Sequence, residues 1–460
     1  MTLREVFASA LLAMTFVAGQ DLVRSETDIA TAVPAQSGDA YLVRSVRAVG
    51  TRIAAIVRLE RAPTVSGIRS DEAAREAETQ SRAQLLLPPT RADARGRAWR
   101  DLGFGSGTEP RDLVLAIVRD LSGMAFDPPR ERLLVDPQRL LPDAGRGDPD
   151  EDPGASILLA TGVAPDEPLA GHYLAHAFLD GPGLEVPVTT DAILGRQSLA
   201  EGAANLAALV LLFEGVGLES DVLSGSLSPE EVLGGQLVPG SMRSASPVVA
   251  HLLEFVYLDG FAQAANLARK GGFSRLAQER KTRRTTRDVL HLDRPPAPPV
   301  AIPEPTLPAS LALSPLDQDS LGEQGIVSLV SLLTGKDNLG LITGDGWVAD
   351  ALWRFEAAPG SATIAGEGAT IWLTLWKSDE DANDFVYGLE RCLQSRFPGE
   401  RFVPDPPPGL QVLRRPDRVY RIERSGLEVV FKVLTSAIDK KMIEHPKKKG
   451  PDPRPTTAPK

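Results

Sequence analysis

The sequence predicts an α+β chain in two parts: a mainly helical domain, then a smaller α+β domain built on an antiparallel sheet. Three observations predict this. Before residue 295, stretches with helical spacing and clear end signals dominate. The proline-dense run from Pro295 to Pro308 can neither continue a helix nor sit in a central sheet, and reads as a semi-rigid linker. Beyond it, short alternating runs read as strands interleaved with two helices. The chain has 460 residues, long enough for two or three domains, and its 42% hydrophobic content is enough to build real cores.

The expected boundaries follow. Residues 1–19 read as a secretory signal peptide: Arg4 precedes an apolar stretch from Val6 to Val17, and Val17-Ala18-Gly19 offers small residues for cleavage. That stretch is too short to span a bilayer, and no other run reaches the roughly 20 apolar residues of a transmembrane helix. An exported protein is therefore expected, in the periplasm, the envelope or outside the cell. Residues 20–294 form the first domain, 295–308 the linker and 309–437 the second domain. Residues 438–460, with Lys447-Lys448-Lys449 and several prolines, are expected to be a disordered basic tail.

Within the first domain, Ile53 to Leu59 reads as β-like and Asp71 to Leu87 as a charged helix. Helices follow at Arg91–Leu102 and Pro110–Leu121, then a short strand at Arg132–Asp136. Pro142 to Gly154, rich in Asp, Gly and Pro, reads as a loop. Two helices then carry residues of chemical interest, and further helices are expected at Pro229–Gly234 and Val248–Lys270. In the second domain the pattern is helix Ser320–Leu333, strands Trp347–Phe355 and Ala369–Trp376, and helix Ser378–Arg396. Strands Leu410–Leu413, Arg418–Arg424 and Leu427–Leu434 complete it.

Composition excludes several functions. A formal net charge of −11 argues against nucleic acid as a partner, because phosphate binding wants a basic face. A single cysteine, Cys392, excludes an intramolecular disulfide and a cysteine-built zinc site. Gly103-Phe104-Gly105-Ser106-Gly107 lacks the Lys-Ser/Thr of a phosphate loop and reads as a helix terminator.

The chemical signal lies at Gly171-His172-Tyr173-Leu174-Ala175-His176-Ala177-Phe178-Leu179-Asp180. His172 and His176 are four residues apart, so on a helix they project from one face with Cβ atoms about 5–6 Å apart. That spacing lets two imidazoles reach one zinc ion at about 2.0–2.1 Å. A second helix, from Thr190-Asp191 to Glu214-Gly215, carries Glu201 among small and apolar residues, with Gln197, Ser198 and Asn205 on its face. Burying such a carboxylate is unfavourable without a partner, and a metal held by the two histidines would be one. The plainer reading is a pair of core or surface histidines, with a glutamate satisfied by local hydrogen bonds.

These residues resemble a group of exported bacterial and archaeal zinc metallopeptidases with the pattern H-E-[LV]-x-H-A-L-x-D, followed on the next helix by A-L-x-E-G-[DA]-A. The chain has His172-Tyr173-Leu174-Ala175-His176-Ala177-Phe178-Leu179-Asp180, then Ser198-Leu199-Ala200-Glu201-Gly202-Ala203-Ala204. Looser echoes cover about residues 95–435: Phe126-Asp127-Pro128, Phe255-Val256-Tyr257, Gly271-Gly272-Phe273 and Thr285-Thr286-Arg287-Asp288-Val289-Leu290-His291. Gly346-Trp347-Val348-Ala349-Asp350 and Trp376-Lys377-Ser378-Asp379-Glu380-Asp381-Ala382 continue the likeness in the last domain.

The resemblance implies a zincin-like first domain of the gluzincin kind. His172, His176 and Glu201 would be zinc ligands, and Asp180, Asn205, Tyr257 and His291 would stand around them. It also exposes a departure. In these peptidases the glutamate after the first histidine is the general base, whereas here that position is Tyr173. A free phenol, with a pKa of about 10, is neutral near pH 7 and a poor base. No catalytic residue is then intact. The expected function is a pseudoenzyme with a residual His-His-Glu metal site and a binding or scaffolding role towards a protein or peptide partner. Two alternatives stay open: an active zinc-dependent peptidase with a different general base, and a metal-free structural interaction protein.

Overall fold

The computed structural model describes residues 35–57, 64–68, 72–121, 124–127, 132–135, 167–179, 188–214, 223, 245–282, 285–357, 368–400, 402–405 and 409–444. The expected signal peptide, the loop at 142–154 and the helix at 229–234 lie outside them. In chain order the described elements begin with α1 (Ala35–Ile56), β1 (Thr64–Ile68), α2 (Glu72–Leu86), α3 (Pro89–Leu102), α4 (Glu109–Leu121), β2 (Met124–Asp127) and β3 (Arg132–Val135). Next come α5 (Glu167–Leu179), α6 (Thr190–Glu214), α7 (Pro247–Glu254), a π-helical turn (Phe255–Asp259), α8 (Gly260–Thr282) and α9 (Thr286–Leu290). A 3₁₀ turn (Ala309–Leu311) leads to β4 (Leu313–Asp319), α10 (Gly322–Thr334), α11 (Asp337–Gly344), β5 (Trp347–Ala357), β6 (Gly368–Trp376) and α12 (Asp379–Arg396). The chain continues through β7 (Val403–Asp405), β8 (Leu410–Arg414), β9 (Arg418–Ser425), β10 (Glu428–Thr435) and α13 (Ser436–Glu444).

Packing divides the chain into two compact units, Met1–Leu87 with Arg111–Ala297, and Pro88–Pro110 with Pro298–Lys460. The expected single domain at 20–294 is thus interrupted: α3 packs with the C-terminal unit.

The first unit is organised around α6. Of its 25 residues, nearly all from Thr190 to Phe213 are buried, including the polar Asp191, Gln197, Ser198, Glu201 and Asn205. It packs against α1, α5, the π-helical turn, α8 and α9. Two glycines allow the closest approaches. A Cβ on Gly202 would stand 2.1 Å from the carbonyl oxygen of Gly260, and one on Gly195 would stand 2.4 Å from the carbonyl carbon of Thr285. At the start of α6, Asp191 Oδ1 accepts from the backbone N–H of Thr286 at 2.8 Å and from its hydroxyl at 2.7 Å. Thr285 and Asp288 form a capping box on α9, so the Thr285–His291 motif serves to anchor that helix to α6. A three-stranded sheet in the order β1-β3-β2 completes the unit, with β1 parallel to β3. Ile53 lies within α1, which runs to Ile56, so the β-like reading of Ile53 to Leu59 is corrected there. Its β-branched residues face the helical core: Ile53 is fully buried.

The second unit is a seven-stranded antiparallel sheet in the order β4-β5-β6-β10-β9-β8-β7. After β6 the chain passes through α12 to the far edge, and β7 to β10 return as a meander until β10 pairs with β6. Phe385, edge-on to Trp372 and tilted against Trp376, joins α12 to the sheet. Ser378 caps α12 by accepting from the Asp381 N–H at 3.1 Å, and acidic residues fill the first turn, where the helix dipole favours them. Asp350 on β5 accepts from Ser320 Oγ, the Leu321 and Gly322 N–H groups and both Trp347 and Trp372 indoles, at 2.7–3.2 Å. It ties the start of α10 to the sheet. Asp350 and Ser378 give the two C-terminal motifs structural roles.

Ile302 and Leu307 pack against a buried cluster that includes Trp353, Ile371 and Leu434. The proline-rich segment, expected as a semi-rigid linker, holds the division between the two units at Ala297/Pro298, and its later part lies against the sheet. The expected disordered tail at 438–460 is also corrected over its first residues: α13 extends to Glu444, Ile438 is buried in the same cluster, and Asp439 pairs with Arg414 and Arg421 at 2.6 and 2.5 Å. Residues 445–460 lie outside the described set.

Candidate metal centre

Two helices of the first unit bring the predicted ligands together. α5 places His172 and His176 on one face, with ring centroids 4.7 Å apart and the rings nearly perpendicular. α6 is pinned at its start by Thr189 Oγ1, which accepts from the Ala192 N–H at 3.3 Å, and by Asp191. It carries Glu201 to the histidines at a point where the carboxylate is completely buried. Helix packing is close because Gly171 on α5 approaches α6: a Cβ there would meet Leu211 Cδ2 at 2.9 Å.

One ligand atom from each of His172, His176 and Glu201 lies within 4.8 Å of the others. His172 Nε2 is 3.3 Å from Glu201 Oε2, and His176 Nε2 is 3.4 Å from Glu201 Oε1. Those separations exceed the usual N–H···O range of about 2.7–3.2 Å. They run to different oxygens of Glu201, and the 3.3 Å contact to Oε2 matches the ligand–ligand edge of a tetrahedral site, about 3.3–3.5 Å for bonds of roughly 2.0–2.1 Å. Two buried atoms of the cluster, Glu201 Oε2 and His172 Nδ1, have no hydrogen-bond partner. Buried polar atoms are normally satisfied, so Glu201 Oε2 is left with a lone pair that a further ligand could take up. The three residues present could therefore hold a metal ion.

Burial pushes the Glu201 carboxyl upward, but the adjoining His176 and His172 imidazoles pull harder and hold it well below the usual carboxylate range. It is thus a carboxylate, the form a metal requires. Its other oxygen, Oε1, accepts a 2.7 Å hydrogen bond from Gln197 Nε2, one helical turn earlier. The plainer reading of Glu201, satisfaction by local hydrogen bonds, is thus met for one oxygen.

The remaining predicted residues fall in different places. Tyr173 is buried, and its ring stands edge-on to His172 with centroids 5.4 Å apart. Asn205 is buried one turn beyond Glu201, and its Nδ2 has no partner. Tyr257 is buried in the π-helical turn, which packs against α6. His291 follows α9, is half-buried, and is not part of the three-residue group. Asp180 lies outside the described residues. Sequence reasoning placed Gln197 on the face of Glu201 but assigned it no role, and it missed the Asp191–Thr286 clamp. The first could be read from i,i+4 spacing, whereas the second joins residues 95 positions apart and leaves no local signal.

Among the described residues no helix is long and apolar enough to cross a membrane. Comparison of the chain with protein-family models, with curated proteins and with solved structures finds no match.

Proposed function

We propose that this chain is a degenerate, zincin-like metallopeptidase relative that keeps a His172–His176–Glu201 zinc site, has lost peptide hydrolysis, and acts outside the cytoplasm by binding or scaffolding a protein or peptide partner. One observation carries the metal part: two buried histidines and a buried carboxylate each offer one ligand atom, and these atoms all lie within 4.8 Å of one another. The loss of hydrolysis rests on Tyr173. A bound zinc ion supplies Lewis acidity at such a site. The chain's own part in hydrolysis would be to accept a proton beside His172, and position 173 offers a phenol where the resembling peptidases have a carboxylate. The family reading and the export reading rest on the sequence motifs and the N-terminal stretch.

The test is the metal content of protein purified without chelators and without a metal-binding affinity tag. About one equivalent of zinc, lost in His172→Ala and Glu201→Ala, supports the reading. No bound zinc, and no uptake when zinc is added, overturns it in favour of a metal-free interaction protein. Chelator-sensitive hydrolysis of a denatured substrate by the unaltered protein overturns the pseudoenzyme part alone.

A further inference from the structure

We infer that Gln197 is a positioning residue for the metal site: it holds Oε1 of Glu201 so that Oε2 alone serves as the ligand oxygen, making the carboxylate monodentate. This rests on the proposed metal reading of the site. Gln197 and Glu201 sit four apart on α6, where side chains at i and i+4 stack on one face. Both are buried, and α6 is enclosed by neighbouring helices, so neither side chain has solvent as an alternative partner. The Gln197 Nε2 to Oε1 bond is 2.7 Å, at the short, charge-assisted end for an N–H donor on a carboxylate.

The two carboxylate oxygens therefore differ. Oε1 has one lone pair engaged and part of its charge drawn towards an amide. Oε2 has no hydrogen-bond partner and stands 3.3 Å from His172 Nε2, whereas Oε1, at 3.4 Å from His176 Nε2, also carries the Gln197 bond. An ion between the two helices would meet one strong oxygen donor and one weakened one. Residues that hydrogen-bond a metal ligand fix its orientation and its donor strength, and their loss typically lowers metal affinity about 10–100-fold.

The experiment uses the full chain and compares it with Gln197→Met, which keeps the volume and removes the donor. Zinc affinity is measured by competition with a chelating dye, and coordination by the visible spectrum of the cobalt(II)-loaded protein. Thermal unfolding of the metal-free forms shows whether the fold is kept. The expected result is a Gln197→Met variant that folds, binds zinc about 10–100-fold more weakly, and gives a weaker cobalt d–d band as Glu201 turns both oxygens to the ion. A purely structural role for Gln197 would lower the unfolding temperature but leave the cobalt band shape and intensity unchanged, and that result overturns the inference. If Gln197→Met does not fold, Gln197→Leu is put through the same comparison, and retention of the parental cobalt spectrum in it counts equally against the inference. A parent protein that takes up neither zinc nor cobalt overturns the metal reading itself, and this inference falls with it. Uptake by the parent with unchanged affinity and spectrum in the variant overturns the role of Gln197 alone.

Discussion

Arg95 Nε donates to Asp317 Oδ2 at 2.9 Å, and neither side chain is more than 2% exposed. The two residues are 222 positions apart, and their bond is the centre of a network that fastens α3 to the C-terminal sheet. Arg95 also reaches Asp319 at 3.2 Å, and Arg91 reaches Asp317 at 2.7 Å. At the end of α3, Asp101 accepts from Arg354 and Thr370, each at 2.7 Å. A buried pair of this kind is costly to break one-sidedly, about 3–5 kcal/mol, because the remaining charge is left inside. Arg95→Ala should therefore lower the stability of the C-terminal unit by several kcal/mol, read as a fall in its urea midpoint. A fragment covering 298–460 should fail to fold cooperatively, and adding a peptide covering 88–110 should restore a sharp transition. A fragment equally stable with and without the peptide would show that the network adds nothing.

This attachment also marks where sequence reading stops. The ends of α3 are legible: Pro89 stands in the first turn and Gly103, at φ 89°, closes it. Its allegiance is not, since charges on a helix say nothing of partners 200 residues away. The same holds for β4, an edge strand carrying Pro315 and mostly exposed residues, and for α13, whose Ile438 and Met442 sit among charges that suggested a tail. The three residues that come together were legible because both signals are local: two histidines at i,i+4, and Glu201 set among small and apolar residues in the middle of the next helix.

Gly202 follows the candidate ligand Glu201 and faces the backbone of Gly260. Gly202→Ala would place a methyl group 2.1 Å from a carbonyl oxygen that belongs to another helix and cannot rotate away. Overpacking of a tight core costs about 1–3 kcal/mol, and here the obstacle is backbone. The variant should unfold at lower temperature and bind zinc more weakly, because moving α6 moves Glu201. Parental melting behaviour in Gly202→Ala would show that the two helices separate at little cost.

Cys392 on α12 is buried, and burial pushes its thiol up to about 12. An unfolded cysteine ionises near 8.5. The native state thus keeps a proton that the unfolded chain releases, and stability falls as pH rises from about 8.5 to 12. Cys392→Ala should flatten that part of the alkaline unfolding curve relative to the parent. At pH 8 the native thiol should resist a maleimide or a disulfide reagent and react only as fast as the second unit opens. Rapid labelling under native conditions would contradict the burial.

On the proposed reading, Tyr173 is the residue that separates a binding protein from a peptidase. It is buried beside His172, at the position where the resembling enzymes carry the proton-accepting carboxylate. A general base is worth about 10²–10⁴-fold in rate. Tyr173→Glu should therefore gain zinc-dependent hydrolysis of a denatured protein substrate, by about 10²-fold over the parent, while Tyr173→Gln, equal in size and without the base, should gain none. The comparison removes the objection that any smaller side chain merely opens the site. Metal analysis of both variants must show zinc retained, since a carboxylate placed next to His172 could draw the ion from Glu201. Equal activity in the Glu and Gln variants would mean that access, and not proton transfer, was what Tyr173 blocks. Chelator-sensitive hydrolysis already present in the parent, and abolished by His172→Ala, would mean that Tyr173 is a bystander and that a carboxylate other than one at position 173 serves as the base.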